Sequence, residues 1–132
     1  MLDLYSVSEQ MAKSRPQFDM SPLRAKQRRR FSRHRTDLPL TVTVLRQEGY
    51  VRLQGRCHEI AEAGLGGVIS TALGAGEVVS LEFSIPELPA PLVLRAVVRH
   101  RAGLVHGFEF IGLSPEQRDC ILTFARPLPL VP

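Results

Sequence analysis

From Leu38 onwards the chain alternates apolar and polar residues with a period of two, in short runs broken by glycine and proline. Successive side chains of an extended strand point to opposite faces, so such a run buries one face and wets the other. Leu38, Leu40, Val42 and Val44 alternate with Pro39, Thr41 and Thr43, and Gln47-Glu48-Gly49 then reads as a hairpin turn. Val51, Leu53, Gly55 and Cys57 share the apolar face of the next run, against Arg52, Gln54 and Arg56. His58–Gly67 is glycine-rich and reads as irregular, and Val68-Ile69-Ser70 as a short strand. Val79, Leu81, Phe83 and Ile85 form the clearest run. A proline-rich loop, Pro86–Pro91, leads to Leu92–Arg99, a turn at Arg101-Ala102-Gly103, and a last strand from Leu104 to Ile111.

One helix follows. Ser114-Pro115-Glu116-Gln117 places a hydroxyl at the N-cap, proline at the first helical position and a glutamine at the third. Such residues satisfy or remove the orphan N–H groups of a helix start. Cys120, Ile121 and Phe124 are expected to face the sheet, and Pro127 and Pro129 to end the helix. The reading is all-β with a C-terminal helix: six short strands that close into a barrel or sandwich. Strands do not alternate with helices, which excludes a doubly wound nucleotide fold. The 132 residues fit one domain, and 44% apolar content suffices for a core. The expected organisation is an arm with a basic linker (1–36), a barrel with its helix (37–126) and a tail (127–132).

Charge is concentrated just before the first strand. Arg24, Lys26, Arg28, Arg29, Arg30, Arg33 and Arg35 fall within twelve positions, and no acid intervenes between Asp19 and Asp37. The formal charge is +4, and without these seven the chain would be net acidic. The segment is expected to be a flexible basic arm, because like charges repel. Ahead of it, Leu4, Val7 and Met11 could line a short helix or belong to a disordered arm. Asp3 and Glu9 stand where a secretory leader is apolar, and no apolar run is long enough for a membrane span. Cys57 and Cys120, alone and far apart, form neither a disulfide framework nor a zinc pattern, so a cytoplasmic location with reduced thiols is expected.

Two segments carry recognisable chemistry. Arg29 and Arg33, four apart, fall on one side of a tight or helical turn. A planar guanidinium fork matches phosphate oxygens or a guanine edge with two bonds at once, and it stacks on a purine. The second segment, His58-Glu59-Ile60-Ala61-Glu62-Ala63-Gly64-Leu65-Gly66-Gly67, has three glycines in four residues, which permit close backbone approach or positive φ.

Together these segments resemble the PilZ domain, a bacterial receptor for cyclic di-GMP. That family carries Arg-x-x-x-Arg before its first strand and Asp/Asn-x-Ser-x-x-Gly after its second. Arg29-Arg30-Phe31-Ser32-Arg33 matches the first motif, with Arg28 as a further arginine before it, and Leu38–Val42 resembles the opening strand. Glu59–Gly64 stands in place of the second motif, and Gly107–Arg118 resembles the last strand running into the C-terminal helix. The resemblance, over about residues 28–125, implies a six-stranded antiparallel PilZ-type β-barrel. It implies a non-catalytic receptor in which Arg28, Arg29, Arg33, Glu59, Ala61 and Gly64 contact cyclic di-GMP, and a downstream protein partner reads the change. Glu59 and Ala61 depart from the motif: Ala61 has no hydroxyl, and Glu59 carries one more methylene than aspartate. Two weakened contacts correspond to about ten- to a thousand-fold lower affinity.

Two other functions are compatible with the residues. A PilZ-fold interaction module that no longer binds nucleotide fits the Glu59 and Ala61 departures. A basic barrel that binds nucleic acid fits the charge cluster, but few aromatics are present to stack on single strands, so no nucleic acid is expected as partner. No cofactor or metal site is expected, since His34, His58, His100 and His106 lack close ligand spacing, although His100 and His106 could face each other across a hairpin. Arg95, Arg99 and Arg101 read as a solvated face. A monomer or a homodimer is equally compatible with the chain.

Overall fold

A computed structural model describes residues 31–132. The short helix considered around Leu4, Val7 and Met11, and the arginines Arg28 and Arg29, lie outside the described residues.

The alternating runs become six strands: β1 (His34–Arg46), β2 (Gly49–Ile60), β3 (Gly64–Ile69), β4 (Val78–Phe83), β5 (Leu92–Ala102) and β6 (Val105–Ile111). All neighbours are antiparallel, and they close into a barrel in the order β1-β2-β3-β6-β5-β4. The closing contact pairs Thr41 with Glu82 and Thr43 with Ser80. The inward faces carry the expected residues: Leu40, Val42, Cys57, Ile69, Leu81, Leu94, Val98 and Phe108 are buried in one core. Each aliphatic side chain so buried contributes about 1.5–3 kcal/mol.

The helix, α1 (Pro115–Ala125), starts as its residues require. The Ser114 hydroxyl accepts from the Gln117 amide at 3.1 Å, and the Gln117 side chain accepts from the Ser114 amide. Ile121 and Ala125 turn fully into the core, while Cys120 and Phe124 pack at its edge. Among the described residues no helix is long and apolar enough to cross a membrane.

Several boundaries differ from the sequence reading. β1 begins at His34, four residues before the alternation starts, because it is paired on both sides: His34 and Arg35 stand opposite Ile60 and Glu59 of β2, the Arg35 amide donates to the Pro129 carbonyl at 2.7 Å, and the Val131 amide to that of Arg33 at 2.8 Å. β2 runs on to Ile60 through an irregularity between Cys57 and Glu59. The extra residue, His58, keeps both Cys57 and Ile60 inward though they are three apart, which breaks the period-two signal. β3 starts at Gly64, so most of the glycine-rich segment is strand. Its glycines serve close approach: a Cβ on Gly67 would strike the Arg56 carbonyl oxygen, and one on Gly64 that of Phe108.

His100 and His106, which could have faced each other across the β5–β6 hairpin, lie on opposite faces of the sheet. His106 is buried and bridges two backbone groups, its Nδ1 donating to the Leu104 carbonyl at 2.7 Å and its Nε2 accepting from the Leu73 amide at 2.9 Å. That pairing satisfies an otherwise orphaned buried N–H. His100 lies outside the barrel over Gly107. On the wetted face Arg99 pairs with Glu109 at 2.5 Å.

Two expectations follow. Gly67→Ala should lower stability by about 1–3 kcal/mol, because a methyl group must displace backbone; an unchanged urea midpoint would contradict the packing. Glu77 accepts from Arg46 at 2.5 Å and from the Gly74 amide at 2.6 Å, and the Arg46 bond chiefly holds its carboxyl below the usual range. A depressed carboxylate stabilises the fold above its ordinary pKa and loses that contribution as pH falls through the folded value. Glu77→Gln should therefore be less stable than wild type at pH 7, with the gap closing below about pH 4.5. A gap independent of pH in urea melts would contradict it.

Candidate functional site

An antiparallel barrel sorts its connections into two ends. The strand order puts the start of β1, the β2–β3 turn, the β4–β5 loop and the entry to α1 at one end, and the two tight hairpins β1–β2 and β5–β6 at the other. Arg33 and the Glu59–Gly64 turn, 26 residues apart or more in sequence, are thereby brought to the same rim.

They meet there. Arg33 Nη1 lies 3.4 Å from Glu59 Oε1, with side chains 37% and 31% exposed. The contact is an ion pair and not a hydrogen bond: Arg33 Nε and Glu59 Oε1 are out of reach of solvent and have no hydrogen-bond partner. A well-made guanidinium–carboxylate pair is bidentate at about 2.7–2.9 Å. This one is loose, with guanidinium donor capacity unused. Arg33 is placed by the tail, whose Val131 amide bonds its carbonyl. His34 is fixed in the same way, its Nδ1 3.0 Å from the Leu128 carbonyl.

The turn is held on three sides. The Ala61 amide donates to the Gly64 carbonyl at 2.8 Å, the Phe110 amide to the Ala63 carbonyl at 2.8 Å, and Glu62 pairs with Arg118 of α1 at 3.6 Å. Glu59 stands opposite Gly66 in the β2–β3 register. Its side chain crosses the bare glycine, where a Cβ would come within 3.2 Å of the Glu59 Cγ. Ala61 is only 8% exposed, with its methyl group turned from solvent. Beneath the turn, burial pushes the Cys57 thiol up to about 12, so it stays a neutral, inert group. Nearby, Asp37 accepts from Arg56 at 2.7 Å, which lowers its carboxyl pKa.

Of the sequence-predicted site residues, Arg33, Glu59, Ala61 and Gly64 gather at this end. Arg28 and Arg29 lie outside the described residues. The sequence reading missed the tail strap at Leu128–Val131, the Glu62–Arg118 tether and Gly66 as the floor under Glu59. Only Gly66 left a local signal, as part of the glycine cluster. An open groove of about 390 Å³ between the β4–β5 loop and α1, lined by Ile85, Leu88, Cys120 and Phe124 among others, includes none of the motif residues.

The profile of the PilZ domain family matches residues 27–126. The chain belongs to the PilZ domain family. The barrel is similar to the PilZ domain with c-di-GMP of YcgR from Escherichia coli, at a TM-score of 0.63 and 18% identity, covering 77% of this chain and 92% of that one. It is also similar to the Bacillus subtilis inhibitor of motility MotI/DgrA, at a TM-score of 0.58 and 19% identity, over 75% of this chain and 49% of that one. A third similar structure is the PilZ domain of CeSA from a cellulose-synthesizing bacterium, at 0.55 and 14%, over 70% and 93%. No curated protein matches the chain. At these identities the likenesses bear on the fold, and they agree with a six-stranded antiparallel PilZ barrel followed by a helix.

Proposed function

We propose that this PilZ domain is a non-catalytic receptor for cyclic di-GMP. One observation carries the reading: the second arginine of an intact Arg-x-x-x-Arg motif stands at the barrel rim beside the β2–β3 turn, with guanidinium hydrogen-bonding capacity to spare. Arg33 would take a phosphate or a guanine edge of the ligand with two bonds. Arg29, from the same motif, and Arg28 just before it would complete the clamp, and the Glu59–Gly64 turn would hold the opposite side. Ligand would neutralise the basic segment and order it, a change that a downstream protein partner reads in the cytoplasm.

A second reading, the interaction module without nucleotide, draws support from the same rim. Ala61 offers no hydroxyl and is buried, and Glu59 is already engaged by Arg33.

Calorimetry with cyclic di-GMP tests both. The receptor reading expects saturable heat that excess GTP does not compete away, and its loss in Arg29→Ala or Arg33→Ala. A charged hydrogen bond to ligand is worth about 1.5–3 kcal/mol, so each loss weakens binding at least about tenfold. Absence of heat from the wild type at high micromolar ligand would end the receptor reading. If Glu59→Asp with Ala61→Ser then restores binding, the interaction module stands.

A further inference from the structure

Resting on the receptor reading, we infer that Glu59 is a resident competitor for the ligand: its carboxylate occupies the Arg33 guanidinium, and binding must exchange it for the messenger's own acceptor. Three features of the rim point this way. Glu59 is the carboxylate paired with Arg33, although Asp37 lies only four residues further along the chain and is engaged by Arg56. Gly66 leaves the space across which the Glu59 side chain reaches, so its position is built into the β2–β3 pairing. The pair is also poorly made, at 3.4 Å and without a hydrogen bond, which suits a contact that must be given up.

The extra methylene of glutamate acquires a meaning here. Instead of a ligand contact set slightly out of place, it is the reach that lets the carboxylate span to Arg33. An ion pair about one-third exposed and without a hydrogen bond is worth little, so the competitor sets a threshold for the messenger without closing the site. The device would tune the concentration at which the receptor fills, and leave its fold untouched.

The two roles of Glu59 give opposite signs when its charge is removed at constant shape. As a competitor, Glu59→Gln should tighten cyclic di-GMP binding by about two- to fivefold in calorimetry. Glu59→Ala should act in the same direction, and both should keep the wild-type circular dichroism. Asp37→Asn removes an equal charge near the same strand without touching Arg33, and it should change affinity by less than about twofold. Weaker or unchanged binding in Glu59→Gln, with the wild type binding, would overturn the competitor and leave the receptor reading intact. An equal gain in Asp37→Asn would overturn it too, by assigning the effect to bulk charge. Silence from wild type, Glu59→Gln and Glu59→Ala alike would remove the receptor reading and the competitor with it.

Discussion

Closure of the sheet, made by β1 against β4, is the constraint on which the rest depends. Once six antiparallel strands form a ring, every connection must lie at one end or the other. The order β1-β2-β3-β6-β5-β4 leaves no choice about which segments share a rim. The strand that opens the barrel starts where the β2–β3 turn ends β2, and the helix begins beside both. Arg33 therefore meets the glycine-bearing turn as a consequence of topology, without any local affinity between the two segments. The Arg33–Glu59 contact is small in energy, and it reports this placement without causing it.

Much of this was legible in the sequence, for a physical reason. Half-buried strands write their orientation as a period of two, and Val42, Leu53, Leu81 and Leu94 lie as that pattern requires. The helix start was legible too, because Ser114, Pro115 and Gln117 each act within one turn. What the pattern hides is anything decided by a distant partner. The extension of β1 to His34 depends on the end of β2 and on tail residues nearly a hundred positions away. The bulge at His58 shifts the phase of β2, so a continuous strand reads as irregular. His106 reads as one of two histidines that could face each other across a hairpin, yet it is buried, where its ring accepts from the Leu73 amide.

The candidate site shows the same division. The arginine spacing and the Glu59–Gly64 segment could be named from the residues, and the resemblance to PilZ domains set them beside each other. That Glu59 reaches Arg33 across Gly66, and that Ala61 turns inward, are facts of register and burial which no spacing contains. Glycine at position 64 also changes meaning: at this close crossing of β3 and β6 it is required by the Phe108 carbonyl, whatever a ligand may need. Retention of that glycine where Asp/Asn and Ser are replaced is thus what the barrel alone would enforce.

The most direct measurement is a two-dimensional amide NMR spectrum of the chain titrated with cyclic di-GMP. Shifts concentrated at residues 31–35, 59–66 and 128–131, with the hairpins at 46–50 and 101–105 unmoved, are the expected result. Shifts centred on those hairpins, or spread evenly over the barrel, would contradict a ligand held at the rim where Arg33 meets the β2–β3 turn.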